Sequence, residues 1–132
     1  MTELLYKEEV YKIIGVCMDV HRQLGKGFSE VVYKDAIEYE CRQNHYLVER
    51  EKEFLIHYKD IILAHKFYAD FVLFGKIILE VKSYNKMATE FIPQTLNYLA
   101  ASKLRIGIIV NFGEDSLKYK RIILWLFSDI CG

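Results

Sequence analysis

Apolar residues recur at Val10, Ile13, Ile14, Cys17, Val20 and Leu24, the i, i+3, i+4, i+7 spacing that lays one stripe along a helix. The pattern predicts a helix over about 6–24, stopped by Gly25. Gly25-Lys26-Gly27-Phe28-Ser29 reads as a tight connection, with Ser29 as the N-cap of a second helix over about 30–44. Residues 46–58 read as a strand, and a turn at Lys59-Asp60 leads into Ile61-Ile62-Leu63. Two β-like runs joined at Gly75-Lys76 fill 67–82, and a loop follows from Ser83. A helix over about 89–103 carries Pro93, which is tolerable only near a helix start, and its inward stripe is Ile92, Leu96, Leu99 and Ala100. Ile106 to Phe112 is a continuous apolar run, hence a buried strand. Gly113-Glu-Asp-Ser turns the chain into a last strand over 119–127. The order is α α β β β α β β, an α/β chain in which the step from Lys82 to Ile106 is a right-handed parallel crossover.

The register of the 67–82 hairpin decides where three charges fall. A two-residue turn at Gly75-Lys76 puts Asp70 on the face opposite Glu80. A three-residue loop, Phe74-Gly75-Lys76, pairs Leu73 with Ile77 and sets Asp70 across from Glu80. One face then holds Tyr68, Asp70, Val72, Ile78, Glu80 and Lys82; the other holds Phe67, Ala69, Phe71, Leu73, Ile77, Leu79 and Val81, with no polar group. A one-residue slip inverts every side chain, so this segregation predicts the odd loop.

Opposed cross-strand Cβ atoms lie roughly 4.5–5.5 Å apart. Two carboxylates at that separation stay ionised only if a cation sits between them or one keeps a proton. Hard oxygen donors of this kind suit Mg²⁺ or Mn²⁺ rather than Zn²⁺. With Lys82 beside them, the set is of the type used for metal-assisted phosphodiester hydrolysis. The plainer alternative is an ion pair between Lys82 and a carboxylate.

Other candidates carry two readings each. Glu30 opens the second helix, where a carboxylate is favoured by the helix dipole, or it points over the sheet at the acidic pair. Glu49 to Glu53 reads as a solvated strand, with Glu51 or Glu53 as a second ligand the lesser reading. His21, His57 and His65 have no Cys or His partner at metal-ligand spacing. Gln94 and Tyr98 are i, i+4 neighbours on one helix face.

Composition narrows the classes. One domain over 1–132 is the default at this length, and 52% apolar residues suffice for a core. Eighteen acids balance eighteen bases, which argues against a protein that coats nucleic acid non-specifically. Three widely spaced cysteines without CxxC suggest reduced thiols in a cytoplasmic chain, with Cys17 and Cys41 on core stripes. No secretory pattern or membrane span is visible in the sequence.

Gly27-Phe-Ser-Glu30-Val-Val-Tyr33 resembles the motif that names the GxxExxY family, part of the PD-(D/E)xK, or restriction-endonuclease-like, nuclease superfamily. Phe67-Tyr-Ala-Asp70-Phe-Val and Ile78-Leu-Glu80-Val-Lys82 resemble its acidic and ExK strands. Gln94-Thr-Leu-Asn-Tyr98-Leu resembles the QxxxY helix of the exonuclease branch, and Gly107-Ile-Ile-Val-Asn111-Phe-Gly113 its GLLxNFG strand and turn. Five motifs in order span about 6–123. Pro93 immediately before Gln94 departs from the pattern.

The resemblance implies a mixed central sheet flanked by helices, with a Mg²⁺- or Mn²⁺-dependent phosphodiesterase site. Asp70, Glu80 and the carbonyl of Val81 would bind metal, and Glu30 would complete the acidic cluster. Lys82 would position or activate water, Gln94 would orient the site, and Tyr98 would brace Gln94 or meet substrate; Asn111 would be structural. The expected partner is nucleic acid, DNA first, with no membrane and with a homodimer or accessory protein as a further expectation, the apolar run 122–127 being a candidate dimer surface. The competing function is a non-catalytic module that binds nucleic acid or protein on the same fold.

Overall fold

The computed structural model describes residues 5–124. The eight elements come in the expected order: α1 (Lys7–Leu24), α2 (Glu30–Gln43), β1 (Val48–Tyr58), β2 (Ile61–Leu73), β3 (Ile77–Lys82), α3 (Phe91–Ser102), β4 (Ile106–Asn111) and β5 (Lys118–Ile123). They form a mixed α/β fold around one five-stranded sheet of order β1-β2-β3-β4-β5. All pairings are antiparallel except β3–β4, which is parallel and joined through α3. Of the expected last strand over 119–127, residues 125–127 lie outside the described range, as does Cys131.

Helices cover both faces, which is why β4 reads as an apolar run rather than an alternating one, and why β3 is apolar on both sides except at Glu80 and Lys82. On one face, Ile13, Cys17, Val20, Tyr33, Ile37 and Cys41 of α1 and α2 pack on Phe71, Leu73, Ile77, Leu79, Val81 and Ile108. On the other, Tyr98 and Leu99 of α3 pack on Val72, Ile78, Ile109 and Ile122. The inward side of α3 is Thr95, Tyr98 and Leu99; Ala100, expected on it, is exposed. Pro93 is the third residue of this helix, where its missing N–H has no intrahelical partner to lose. No described helix is long and apolar enough to cross a membrane.

The loop between α1 and α2 is locked by Tyr33. Its ring is fully buried and stacks on Phe112 at 4.5 Å and 14°. Its hydroxyl donates to the Gly25 carbonyl at 2.6 Å and accepts from the Phe28 N–H at 3.2 Å. Gly27 takes a φ of 114°, a backbone that side chains rarely permit. Ser29 occupies the N-cap position, yet its side chain makes no capping bond. Tyr33→Phe keeps the stacking and drops both hydroxyl bonds, so it should cost about 1–2 kcal/mol in urea unfolding.

Candidate active site

The β2–β3 hairpin adopts the odd register: Leu73 pairs with Ile77, Val72 with Ile78 and Phe71 with Leu79. Asp70 and Glu80 therefore come opposite each other, and there the ladder gives way to side chains. The Asp70 N–H donates to Glu80 Oε2 at 3.0 Å, and the Val81 N–H donates to Asp70 Oδ2 at 2.8 Å. Each carboxylate is thus fixed by the backbone of the facing strand.

The expected segregation of the hairpin faces holds only from Phe71 onward. Phe67 and Ala69 lie in the α3 layer with Val72 and Ile78, not in the layer of Phe71 and Leu73. β1 changes face at the same level: Val48 packs beneath α1 and α2, and Phe54 packs in the α3 layer. Between them Glu51 has a φ of 55°, and the Glu51–Asp70 pair is missing from a ladder that keeps one register from Val48 to Leu55. The β1–β2 ribbon rolls over at Glu51 and Asp70, which puts Asp70 where the two layers meet.

Glu80 is 2% exposed. Burial, followed by the charge of Asp70, pushes its carboxyl up to about 8, against the Asp70 N–H and the lysines at 82 and 34. Lys82 Nζ donates to Gln94 Oε1 at 2.8 Å and lies 5.1 Å from the centre of the Phe91 ring. It is bound to the Gln94 amide rather than paired with a carboxylate, so the plain ion-pair reading of Lys82 does not describe it. Tyr98 is buried, with its ring edge-on to Phe67 at 5.8 Å. Burial, then the charges of Glu80, Asp70 and Glu51, push its hydroxyl up to about 12. The bracing of Gln94 by Tyr98 is not among the described hydrogen bonds: Gln94 is exposed and turned to Lys82.

Glu30 is half-buried at the start of α2 and makes no described hydrogen bond or ion pair to Asp70, Glu80 or Lys82. No three His, Cys, Asp or Glu side chains among the described residues form a metal-holding group. The side chain of α2 that does reach the pair is Lys34, which donates to Asp70 Oδ1 at 3.0 Å and also binds Glu51. Burial works against its charge, but the hydrogen bonds to Glu51 and Asp70 hold the ammonium above its usual range. Lys34 was not singled out from the sequence; its signal is its place one helical turn after Glu30, on the same side of the helix. His21 is buried and hydrogen-bonds the Glu114 carbonyl at 2.9 Å, whereas His57 and His65 are exposed on the outer ribbon.

A family model described as the PD-(D/E)XK nuclease superfamily matches residues 7–122. The chain belongs to that superfamily. Asp70 and Glu80-Val-Lys82 match the D and (D/E)XK letters of its name, with Ala69 where the name has Pro, and PD-(D/E)XK nucleases generally use divalent metals. The chain is also similar to a solved structure titled "Crystal structure of SSO0001", at 21% identity and a TM-score of 0.58, over 75% of this chain and 52% of that one. That likeness supports the restriction-endonuclease-like fold. An alkaline exonuclease, LHK-Exo from Laribacter hongkongensis, matches at 14% identity and a TM-score of 0.47, over 65% and 51%. The chain spans about half the length of these solved structures. No curated protein matches it.

In a PD-(D/E)XK domain a divalent cation needs oxygen donors in a small, partly wet site. The donors here fit: two carboxylates held at the sheet, one beside solvent and one buried, and few enough for an ion that keeps several waters. Without metal, Glu80 gives a titration of its own. Between about pH 4.5 and 8 the folded chain keeps a proton on Glu80 that the unfolded chain has released, so stability falls as pH rises through that window. In chelator, Glu80→Gln should match the parent near pH 4 and exceed it near pH 9 by on the order of 4 kcal/mol. Denaturant titrations at the two pH values measure this difference.

Proposed function

We propose that the chain is a nuclease of the GxxExxY group that hydrolyses phosphodiester bonds of nucleic acid, DNA first, with Mg²⁺ or Mn²⁺. The observation that carries this reading is the interlocked Asp70–Glu80 pair with the Lys82–Gln94 contact beside it. Asp70, Glu80 and the Val81 carbonyl would hold the metal, with Glu30 as the further acid from α2. The bound ion would neutralise charge developing on the phosphate.

The remaining work falls to the chain. Lys82, tethered by Gln94 and lying over Phe91, keeps an ammonium at the mouth of the pair, where it orients the attacking water and meets a phosphate oxygen. Tyr98, buried beside Glu80, closes the floor as a neutral hydroxyl and would meet substrate there. The Gly27–Tyr33 motif supports the GxxExxY assignment because Tyr33 fixes the loop from which α2, and so Glu30 and Lys34, departs. A cytoplasmic location, and a homodimer or accessory protein to hold substrate, belong to the same proposal.

Pure protein incubated with single- and double-stranded DNA and RNA, in Mn²⁺ and in chelator, tests it. Cleavage in Mn²⁺ that chelator stops is the expected result. Failure to cleave any of the four, together with no Mn²⁺ binding, overturns it in favour of a non-catalytic binding module.

A further inference from the structure

Lys34 is an unusual neighbour for an acidic pair. Its side chain is 13% exposed, bridges Asp70 and Glu51, and comes from a helix rather than from either strand of the hairpin. Glu51 reaches it from the one β1 position in the left-handed region, opposite Asp70, where the ladder is broken. A backbone of that kind is rarely adopted by a residue with a side chain and persists only where its surroundings enforce it. Lys34, Glu51 and Asp70 thus form a built arrangement at the roll-over of the ribbon.

Charge counting gives the arrangement a purpose. Asp70, Glu80 and Glu51 face the ammonium groups of Lys34 and Lys82. Once a bound cation displaces the Glu80 proton and all five are ionised, the cluster has one surplus negative charge. Glu30, one turn before Lys34, raises the surplus to two. A single divalent cation balances a surplus of two and leaves one positive charge on a surplus of one. A second would find Asp70 Oδ1 already facing an ammonium and would leave the cluster strongly positive.

We propose that Lys34, held by Glu51, is a positioning residue that occupies the second-cation place beside Asp70, so that the site binds one divalent ion and not two. This rests on the metal-dependent reading above and goes beyond it by assigning the count. Two-metal sites place their ions about 3.5–4 Å apart. Two Mn²⁺ at that separation are spin-coupled, whereas a single Mn²⁺ gives an isolated signal.

The test is titration of the full chain with Mn²⁺ by calorimetry, with electron paramagnetic resonance at saturation, on the parent, Lys34→Met and Lys34→Arg. The parent should bind one ion with an isolated signal, and Lys34→Arg should do the same. Lys34→Met should bind two, with a coupled signal. Should Lys34→Met not fold, Lys34→Gln, which drops the charge and keeps polar contacts, takes its place with the same expectation. A parent that binds two coupled ions overturns the proposal, and so does a charge-removed variant that still binds a single isolated ion. A parent that binds no Mn²⁺ fails differently: it removes the metal-dependent reading, and this proposal falls with it.

Discussion

Lys82→Ala is expected to slow nucleic-acid cleavage by roughly 10²–10⁴ while Tm moves by only about 2 °C. The two effects separate because of where Lys82 sits. It is half-buried at the end of β3, its partner Gln94 is exposed, and its stem lies along Phe91. Removing it strands no buried charge, since water can reach the Gln94 amide. The contact is therefore worth no more than a surface pair, about 0–1 kcal/mol. Its chemistry is another matter: no other lysine is described at Gln94, and Lys34 is committed to Asp70 and Glu51. Lys82→Ala should also still bind Mn²⁺, because Asp70 and Glu80 are untouched. Glu80→Gln should lose both Mn²⁺ binding and cleavage, with the gain in metal-free stability at high pH described above. A Lys82→Ala protein that digests DNA at the parent's rate would take Lys82 out of the reaction.

The hairpin register was legible because only one loop length separates Asp70, Glu80 and Lys82 from the apolar side chains around them, and the structure pairs Leu73 with Ile77 accordingly. The element order was legible for a similar reason: Ile106–Val110 is too uniformly apolar to face water, and Ile77–Val81 is so apart from Glu80. What escaped the pattern was its reversal. Strict alternation assigns Phe67 and Ala69 to the side of Phe71, whereas the ribbon turns over at Asp70 and carries them to α3. Beyond that level the ribbon leaves its covering helices, and Ile61, Ile62 and Leu63 are exposed despite their apolar character. A period of two cannot report a roll-over, because the sequence on either side stays strand-like. Lys34 escaped for a different reason. Its partners are 17 and 36 residues away, and only the docking of α2 on the sheet brings them to it. The need for a cation at Asp70 was deducible from two facing carboxylates; which residue supplies it was not.

Among the described glycines, Gly113→Ala should be the most damaging added methyl, costing about 3–5 kcal/mol or roughly 10–20 °C in Tm. A Cβ at Gly113 would lie 2.2 Å from the Tyr84 carbonyl oxygen, 2.6 Å from its carbon and 2.7 Å from its nitrogen. All three are backbone atoms, so no rotamer change relieves the clash. Nor can the backbone of Tyr84 withdraw easily. The Tyr84 N–H donates to Asn111 Oδ1 at 2.8 Å, and Asn111 Nδ2 donates to the Tyr84 carbonyl at 3.0 Å and to Glu114 Oε2 at 2.9 Å. Glu114 Oε2 in turn accepts from the Met87 N–H at 2.9 Å, and the Phe112 N–H donates to the Lys82 carbonyl at 2.9 Å. Asn111 is fully buried, so a shift that breaks this set leaves its amide without water to replace the lost partners. The set also clamps the loop that follows Lys82, and activity should fall along with stability. Gly15→Ala is the control for the added methyl itself. Beyond its own helix backbone and chain neighbours nothing lies within 4 Å of its Cβ, the site is an exposed helix position, and the substitution should stabilise by about 0.5–1 kcal/mol. Thermal melts of the two variants should therefore move in opposite directions, and a Gly113→Ala protein that melts with the parent would mean that the Asn111–Tyr84 clamp yields at little cost.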